Sequence, residues 1–385
     1  MTPHDPEDDF QELDVPEAAA TAAASAAATI LTPKESVDID PKLEASIQRA
    51  LTPASRLDKP TPTSDLTPDT SRILTTEGAR TGVLGNKIMA FATKGSAITV
   101  LIVLAAVGAF LLAEAWPAIA SRTLELRPMG SSERVGLFAF TAPQVFGTIL
   151  GAVIAMLLSV PFSIGVALTI THYAPRRMSS LLGYTVDLLA AVPSVVYGLW
   201  GALFLLPLLT PVHKGLNATF GWIPFFGGEP STTGRTILSA AVVLSVMILP
   251  IITAVIREVV DATPKHQEDA ALALGATRWE MIRMVVLPMA RSGMVSAAML
   301  GLGRALGETM AVLMVLSVGS SMTWSVVEAG KHSSIAPNIA LQFPESSGID
   351  TSALVATGLV LFLITLLVNT GARLIVARAE RKAAK

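Results

Sequence analysis

A transmembrane helix needs about 20 consecutive apolar residues to cross roughly 30 Å of hydrocarbon. From Lys94 onward this chain supplies runs of that kind near residues 96–116, 146–170, 182–208, 235–256, 293–318 and 352–375. Nothing else in the sequence constrains the fold as strongly. The runs predict an all-α membrane protein, with six transmembrane helices within residues 91–385. Composition agrees. Only 15% of the 385 residues are charged, against about 25% in a soluble domain. Interior prolines such as Pro161, Pro193 and Pro250 would end a soluble helix. In a membrane bundle, neighbouring groups satisfy the carbonyls they free.

Residues 1–90 read differently. They are rich in Pro, Thr, Ser, Asp and Ala and nearly free of aromatics. Such a segment buries too little apolar surface to offset its ordering entropy, so a disordered cytoplasmic tail is expected. The chain opens with Asp5, Glu7, Asp8 and Asp9 rather than a basic stretch. No secretory signal peptide is expected, and the first apolar span must direct insertion. Placing the N-terminus inside puts Lys87, Lys94, Arg176, Arg177, Arg257, Lys265, Arg278, Arg283, Arg291 and the basic C-terminus in the cytoplasm. The other side receives fewer basic residues, so both termini are expected inside a multi-pass cell-membrane protein. A net charge of -2 argues against nucleic acid as a partner. With no cysteine there is no disulfide or thiolate chemistry. The five histidines are scattered, those at 172, 213, 266 and 332 in expected loops, and no metal site is expected.

The loop 258–293 carries more pattern than a plain connection needs. Thr263 and Pro264 have the form of an N-cap and first helical residue. A helix to Leu274 follows, ended by Gly275 in a left-handed conformation. Thr277 to Glu280 has the capping-box form and starts a second helix, closed near Leu287 by Pro288. On pattern alone, this elbow is either a docking knob or an interfacial helix lying on the bilayer.

The same stretch carries a resemblance. Asp269-Ala270-Ala271, then Gly275, then Val285-Val286-Leu287-Pro288 resembles the EAA loop of ABC importer permeases, spacing included. It departs in Asp269 for Glu and Val285 for Ile. The resemblance implies the type I ABC importer permease fold. It also implies that Asp269, Ala270, Ala271, Gly275, Leu287 and Pro288 form the coupling surface, which seats in a partner ATPase and transmits its closure.

Span 5 holds Arg304 and Glu308, four apart on one expected helical face, with Gly303 and Gly307 as a G-x-x-x-G pair for close helix approach. Counting from Gly293, Arg304 lies roughly 16 Å into the membrane. A charge at that depth costs at least about 2.5–3.5 kcal/mol. Either the two form a self-compensating ion pair, or Arg304 offers its planar fork to an anion while Glu308 holds or resets it. The residues alone leave these even. Asp187, read as five residues into span 3, is a second buried acid with a packing or gating role.

The run Arg304 to Val312 is similar to the span-5 signature of PstC-type permease subunits of phosphate ABC importers. Asp187 to Trp200 and Ile335 to Ala340 look like other parts of that subunit. The resemblance covers about Lys94 to the C-terminus. It implies inorganic phosphate as substrate, moved by alternating access along a path containing Arg304 and Glu308. It implies a second, PstA-like permease, PstB-like ATPases that use ATP and Mg, and a PstS-like extracytoplasmic phosphate-binding protein. This chain would bind no cofactor itself. It has no G-x-x-x-x-G-K-[ST] phosphate loop, so ATP hydrolysis is assigned to another chain. The rivals are a permease for sulfate, molybdate or another anion, a stand-alone secondary transporter, and a membrane anchor or signalling partner working through the tail.

Overall fold

The computed structural model describes residues 78–121, 125–129 and 132–383. The chain divides into two units, residues 1–91 and 92–385. Most of the segment read as a disordered tail, residues 1–77, lies outside the described residues. Residues 78–90 do not fit that reading, because a helix already begins at Gly78.

In chain order the helices are α1 (Gly78–Ala120), α2 (Leu137–Leu168), α3 (Arg176–Ala190), α4 (Ser194–Trp200), α5 (Leu206–Phe220) and α6 (Ile237–Asp261). They continue as α7 (Lys265–Ala273), α8 (Arg278–Met281), α9 (Leu287–Gly307), α10 (Met310–Val315), α11 (Ile335–Gln342) and α12 (Ile349–Ala383). Single π-helical turns extend α2 (Thr169–Tyr173), join α4 to α5 (Gly201–Leu205) and join α8 to α9 (Ile282–Val286). Among the described residues, extended pairing is limited to isolated bridges such as Leu126 with Val135.

Six helical stretches are long and apolar enough to cross a membrane, as the sequence predicts: Gly85–Ala120, Leu137–Tyr173, Ser194–Phe220, Ile237–Asp261, Arg278–Gly307 and Ile349–Leu374. Several limits differ from those expected, and two of the differences bear on the site. The third begins at Ser194 rather than near 182, because α3 is a separate amphipathic helix that stops at Ala190. Pro193 disfavours the helical conformation at Val192 and so splits the two. The fifth ends at Gly307, well short of 318.

The surface is inverted relative to a soluble protein. Leu157, Phe162, Leu203, Phe204 and Leu367 are each more than 60% exposed. Apolar surface this extensive, on helices that satisfy their own backbone, is made for lipid. The core centres on α6, whose Ile248, Ile252 and Ile256 recur every fourth residue and are fully buried. Small residues of α2, namely Ala152, Ala155, Ser159 and Ser163, bring its backbone close to this core. Ser163 donates to Leu249 O at 3.1 Å. The fifth span also approaches α6 closely. A Cβ at Gly293 would strike Val259, and one at Gly301 would strike Ile252. The expected close approach at Gly303 and Gly307 is not found within this chain, since no atom lies within 4 Å of where their Cβ atoms would be.

Two histidines expected in loops are buried instead. His213 lies inside α5 and its Nε2 sits 3.3 Å from Ser239 Oγ. His332 Nε2–H donates to Thr323 O at 2.9 Å, and its ring stacks near Phe146. Its burial holds the imidazole pKa below the ordinary 6.5.

Candidate functional site

The elbow follows its sequence signals closely at the turn. Gly275 has φ +90, a left-handed conformation that glycine adopts without a Cβ penalty. Around it, Gly275 N–H donates to Leu272 O and Ala276 N–H to Ala271 O, the paired bonds of a Schellman stop. The capping box is complete: Glu280 N–H donates to Thr277 Oγ1, and Thr277 N–H donates to Glu280 Oε2 at 2.8 Å. Between these fixed points Asp269 and Ala270 are exposed, Ala271 is half-buried, and Leu274 and Trp279 stand 90% and 56% exposed.

Two readings of the elbow need correction. Thr263 does not cap α7. Pro264 occupies the cap position, and Thr263 Oγ1 is buried without a partner. Pro288 does not close the second helix either. It sits in the first turn of α9, and the π turn Ile282–Val286 carries the chain helically into it. A π turn shifts the hydrogen-bond register by one residue, which accommodates a missing N–H. Leu287 and Pro288 thus belong to the root of the fifth span, while Asp269 to Gly275 form the free knob. Sequence reading also missed a tie. His172, at the end of the second span, sits 3.6 Å from Glu268 on α7. The signal available was a lone histidine at a span end.

The intramembrane charges are arranged differently from the expected i, i+4 pair. The helix ends at Gly307, and Glu308 is extended with φ -70 and ψ 127. Glu308 is buried, and its Oε1 accepts from Ala311 N–H at 3.1 Å, capping α10. No salt bridge joins Arg304 to Glu308 among the described residues. Arg304 Nε is buried and has no hydrogen-bond partner among the described residues. The break is positioned by α4. A Cβ at Gly198 would sit 2.8 Å from Ala311 Cα, so only glycine lets the two short helices touch there. Tyr197 beside it donates to Leu189 O at 2.8 Å and bridges the gap between α3 and α4. The result is a guanidinium edge, unpartnered among the described residues, next to the unwound segment that ends the fifth span.

Residues 159–382, more than half of the chain, match the family of the binding-protein-dependent transport system inner membrane component. The phosphate transport system permease protein PstC 2 of Mycobacterium tuberculosis is 44% identical over 299 residues, covering 76% of this chain and 91% of that protein. The chain belongs to the PstC family of binding-protein-dependent permeases. PstC of Mycobacterium leprae is 48% identical over 232 residues, 59% of this chain and 72% of that one. PstC of Mesorhizobium japonicum is 37% identical over 300 residues, 75% and 89% of the two chains. Among solved structures, a bacterial ABC transporter that imports the acidic polysaccharide alginate aligns with a TM-score of 0.48 at 14% identity, covering 77% of this chain and 99% of that one. The permease is therefore a multi-pass inner-membrane subunit of an ABC importer. ATP hydrolysis resides in a separate subunit, and a substrate-binding partner belongs to the system.

Asp187 is not the buried acid of a membrane span. It lies on α3, outside the crossing helices, with its side chain 48% exposed, and accepts from Arg257 Nη2 at 3.0 and 3.2 Å. Gly183 makes room, because a Cβ there would collide with the Arg257 guanidinium. The pair pins α3 to the end of α6. A half-exposed ion pair is worth up to about 1 kcal/mol. Asp187→Asn is therefore expected to lower the melting temperature of the permease by only a few degrees and to keep uptake within about twofold. A loss of transport with unchanged melting would assign Asp187 a gating role instead.

Proposed function

We propose that this permease translocates inorganic phosphate into the cytoplasm by alternating access, with both termini cytoplasmic. The observation that carries the reading is the state of Arg304. Arg304 lies three residues before the end of the fifth span, its Nε is buried and, among the described residues, unpartnered, and Glu308 is committed to capping α10. A desolvated cation without a protein counter-ion is costly unless an anion visits it. A planar fork of donors suits a tetrahedral oxyanion. The names of the relatives, phosphate transport system permeases, support the same substrate.

In this reading Arg304 contacts the anion directly. Glu308 holds the helix break beside it and acts on the pathway by keeping α10 in place. Asp269, Ala270, Ala271 and Gly275 form the knob that seats in a PstB-like ATPase, whose ATP and Mg drive closure. Leu287 and Pro288 join that knob to the fifth span. A PstA-like second permease completes the path, and a PstS-like protein delivers phosphate from outside. Transport by the complete complex in proteoliposomes tests the substrate. Phosphate uptake is expected to be ATP-dependent and unaffected by excess sulfate. Uptake of sulfate or molybdate in preference to phosphate would overturn the assignment.

A further inference from the structure

A cavity of about 600 Å³ opens between α9 and α12. Its walls are two matching helical stripes. Ser296, Leu300, Gly303 and Arg304 line it from α9, and Asn369 and Arg373 from α12. The spacing, four, three and one on α9 and four on α12, keeps each set on one helical face. Among the described residues, both ionisable lining residues are arginines and no carboxylate lines the cavity. Arg373 makes no ion pair or hydrogen bond among the described residues. Arg304 Nε is buried and unpartnered. Ser296 is less available, since its hydroxyl donates to Ser292 O at 3.0 Å. Gly303 matters as well: nothing lies within 4 Å of where its Cβ would be, so the cavity is open there.

A guanidinium on a membrane-crossing helix, such as that of Arg304, does not face hydrocarbon, because that exposure costs several kcal/mol. The open side of the cavity therefore faces protein or water. Two free cations along one such cleft, separated by a neutral amide donor, attract and hold a phosphate-type oxyanion. We infer that the α9–α12 cavity is a second anion station of the pathway, in which Arg373 receives the oxyanion from Arg304 and Asn369 donates between them. Asn369 and Arg373 are one helical turn apart, about 6 Å along the axis. A single phosphate thus passes between donors without returning to bulk water. The inference rests on the reading of the permease as a phosphate transporter.

The test is phosphate uptake by proteoliposomes holding the complete complex, with Arg373→Gln, Arg373→Lys and Gly303→Leu. Losing one charge-assisted contact is expected to slow Arg373→Gln by about tenfold. Arg373→Lys recovers part of this, and Gly303→Leu, whose Cβ meets no atom within 4 Å and whose bulk narrows the cavity, blocks uptake. All three retain the ATPase on co-purification. Wild-type rates in Arg373→Gln and Gly303→Leu overturn the station and leave phosphate transport standing. A wild-type complex that moves no phosphate overturns the functional reading instead. A lipid headgroup offers the same chemistry as free phosphate, so each variant is assayed in vesicles of phosphatidylcholine alone and with phosphatidylglycerol added. Equal defects in both support the station. A defect confined to the anionic vesicles assigns the cavity to lipid and overturns its place on the path.

Discussion

Replacing Arg304 with Gln is expected to abolish phosphate uptake while the complex still assembles. The two halves of this result have separate causes. Transport fails because the substitution removes a guanidinium whose buried edge lacks a protein partner among the described residues. Truncating one member of a desolvated charge pair costs about 2–5 kcal/mol, so uptake should fall at least about 30-fold. Assembly survives because the neutral amide relieves an insertion cost of about 2.5–3.5 kcal/mol rather than adding one. Arg304→Lys keeps the charge but not the planar fork, and belongs between the two. Glu308→Gln provides the contrast. Its amide oxygen still accepts the Ala311 N–H, so the helix break persists and the loss is smaller. Equal, severe losses from Arg304→Gln and Glu308→Gln would mean that the two charges work as a pair after all. Normal uptake in Arg304→Gln would return the residue to a purely structural role.

The second large effect is expected at Gly275. Substitution by Val should leave ATP hydrolysis running while phosphate uptake falls severely. The cause is conformational, because no atom lies within 4 Å of where the new Cβ would be. A φ of +90 costs an L-residue about 1–2 kcal/mol, and β-branching adds to that. The chain escapes by rotating out of the left-handed region. That breaks the Schellman bonds and swings α7 away from α8. The exposed Leu274 and Trp279 then present a different surface to the ATPase. The elbow contributes little to the core, so global stability should change little. Gly275→Asn is the control, since Asn tolerates the left-handed region and should retain coupling. Unimpaired uptake by the Val variant would remove the elbow from the coupling route.

Local signals were the legible ones. The six spans followed from apolar length, and the Gly275 stop and Thr277–Glu280 box followed from turn chemistry within a few residues. What escaped depends on tertiary contact. The helix ends after Gly307 because Gly198 lets α4 press against Ala311, 113 positions away in sequence, and Glu308 finds a better use as a cap. An i, i+4 rule has no access to that. Asp187 was drawn into the third span because hydropathy over a window blends amphipathic α3 with apolar α4, and only Pro193 marks the seam. Pro288 looked like a terminator because the rule for proline assumes α-helical register, and the π turn before it changes the register. His213 and His332 looked solvated because burial of a loop histidine has no local sequence mark.

The absence of a stop at Pro288 has a mechanical consequence. From Arg278 at the elbow to Gly307 beside the break, the chain is helical for 30 residues without interruption. That is a rod of about 45 Å. A tilt of about 5° imposed on a rod of that length displaces its far end by about 4 Å, more than the length of a hydrogen bond. The displacement arrives where the rod gives way to the extended Glu308. In the proposed cycle, a small nod of the knob would therefore move the Arg304 end of the rod by that distance.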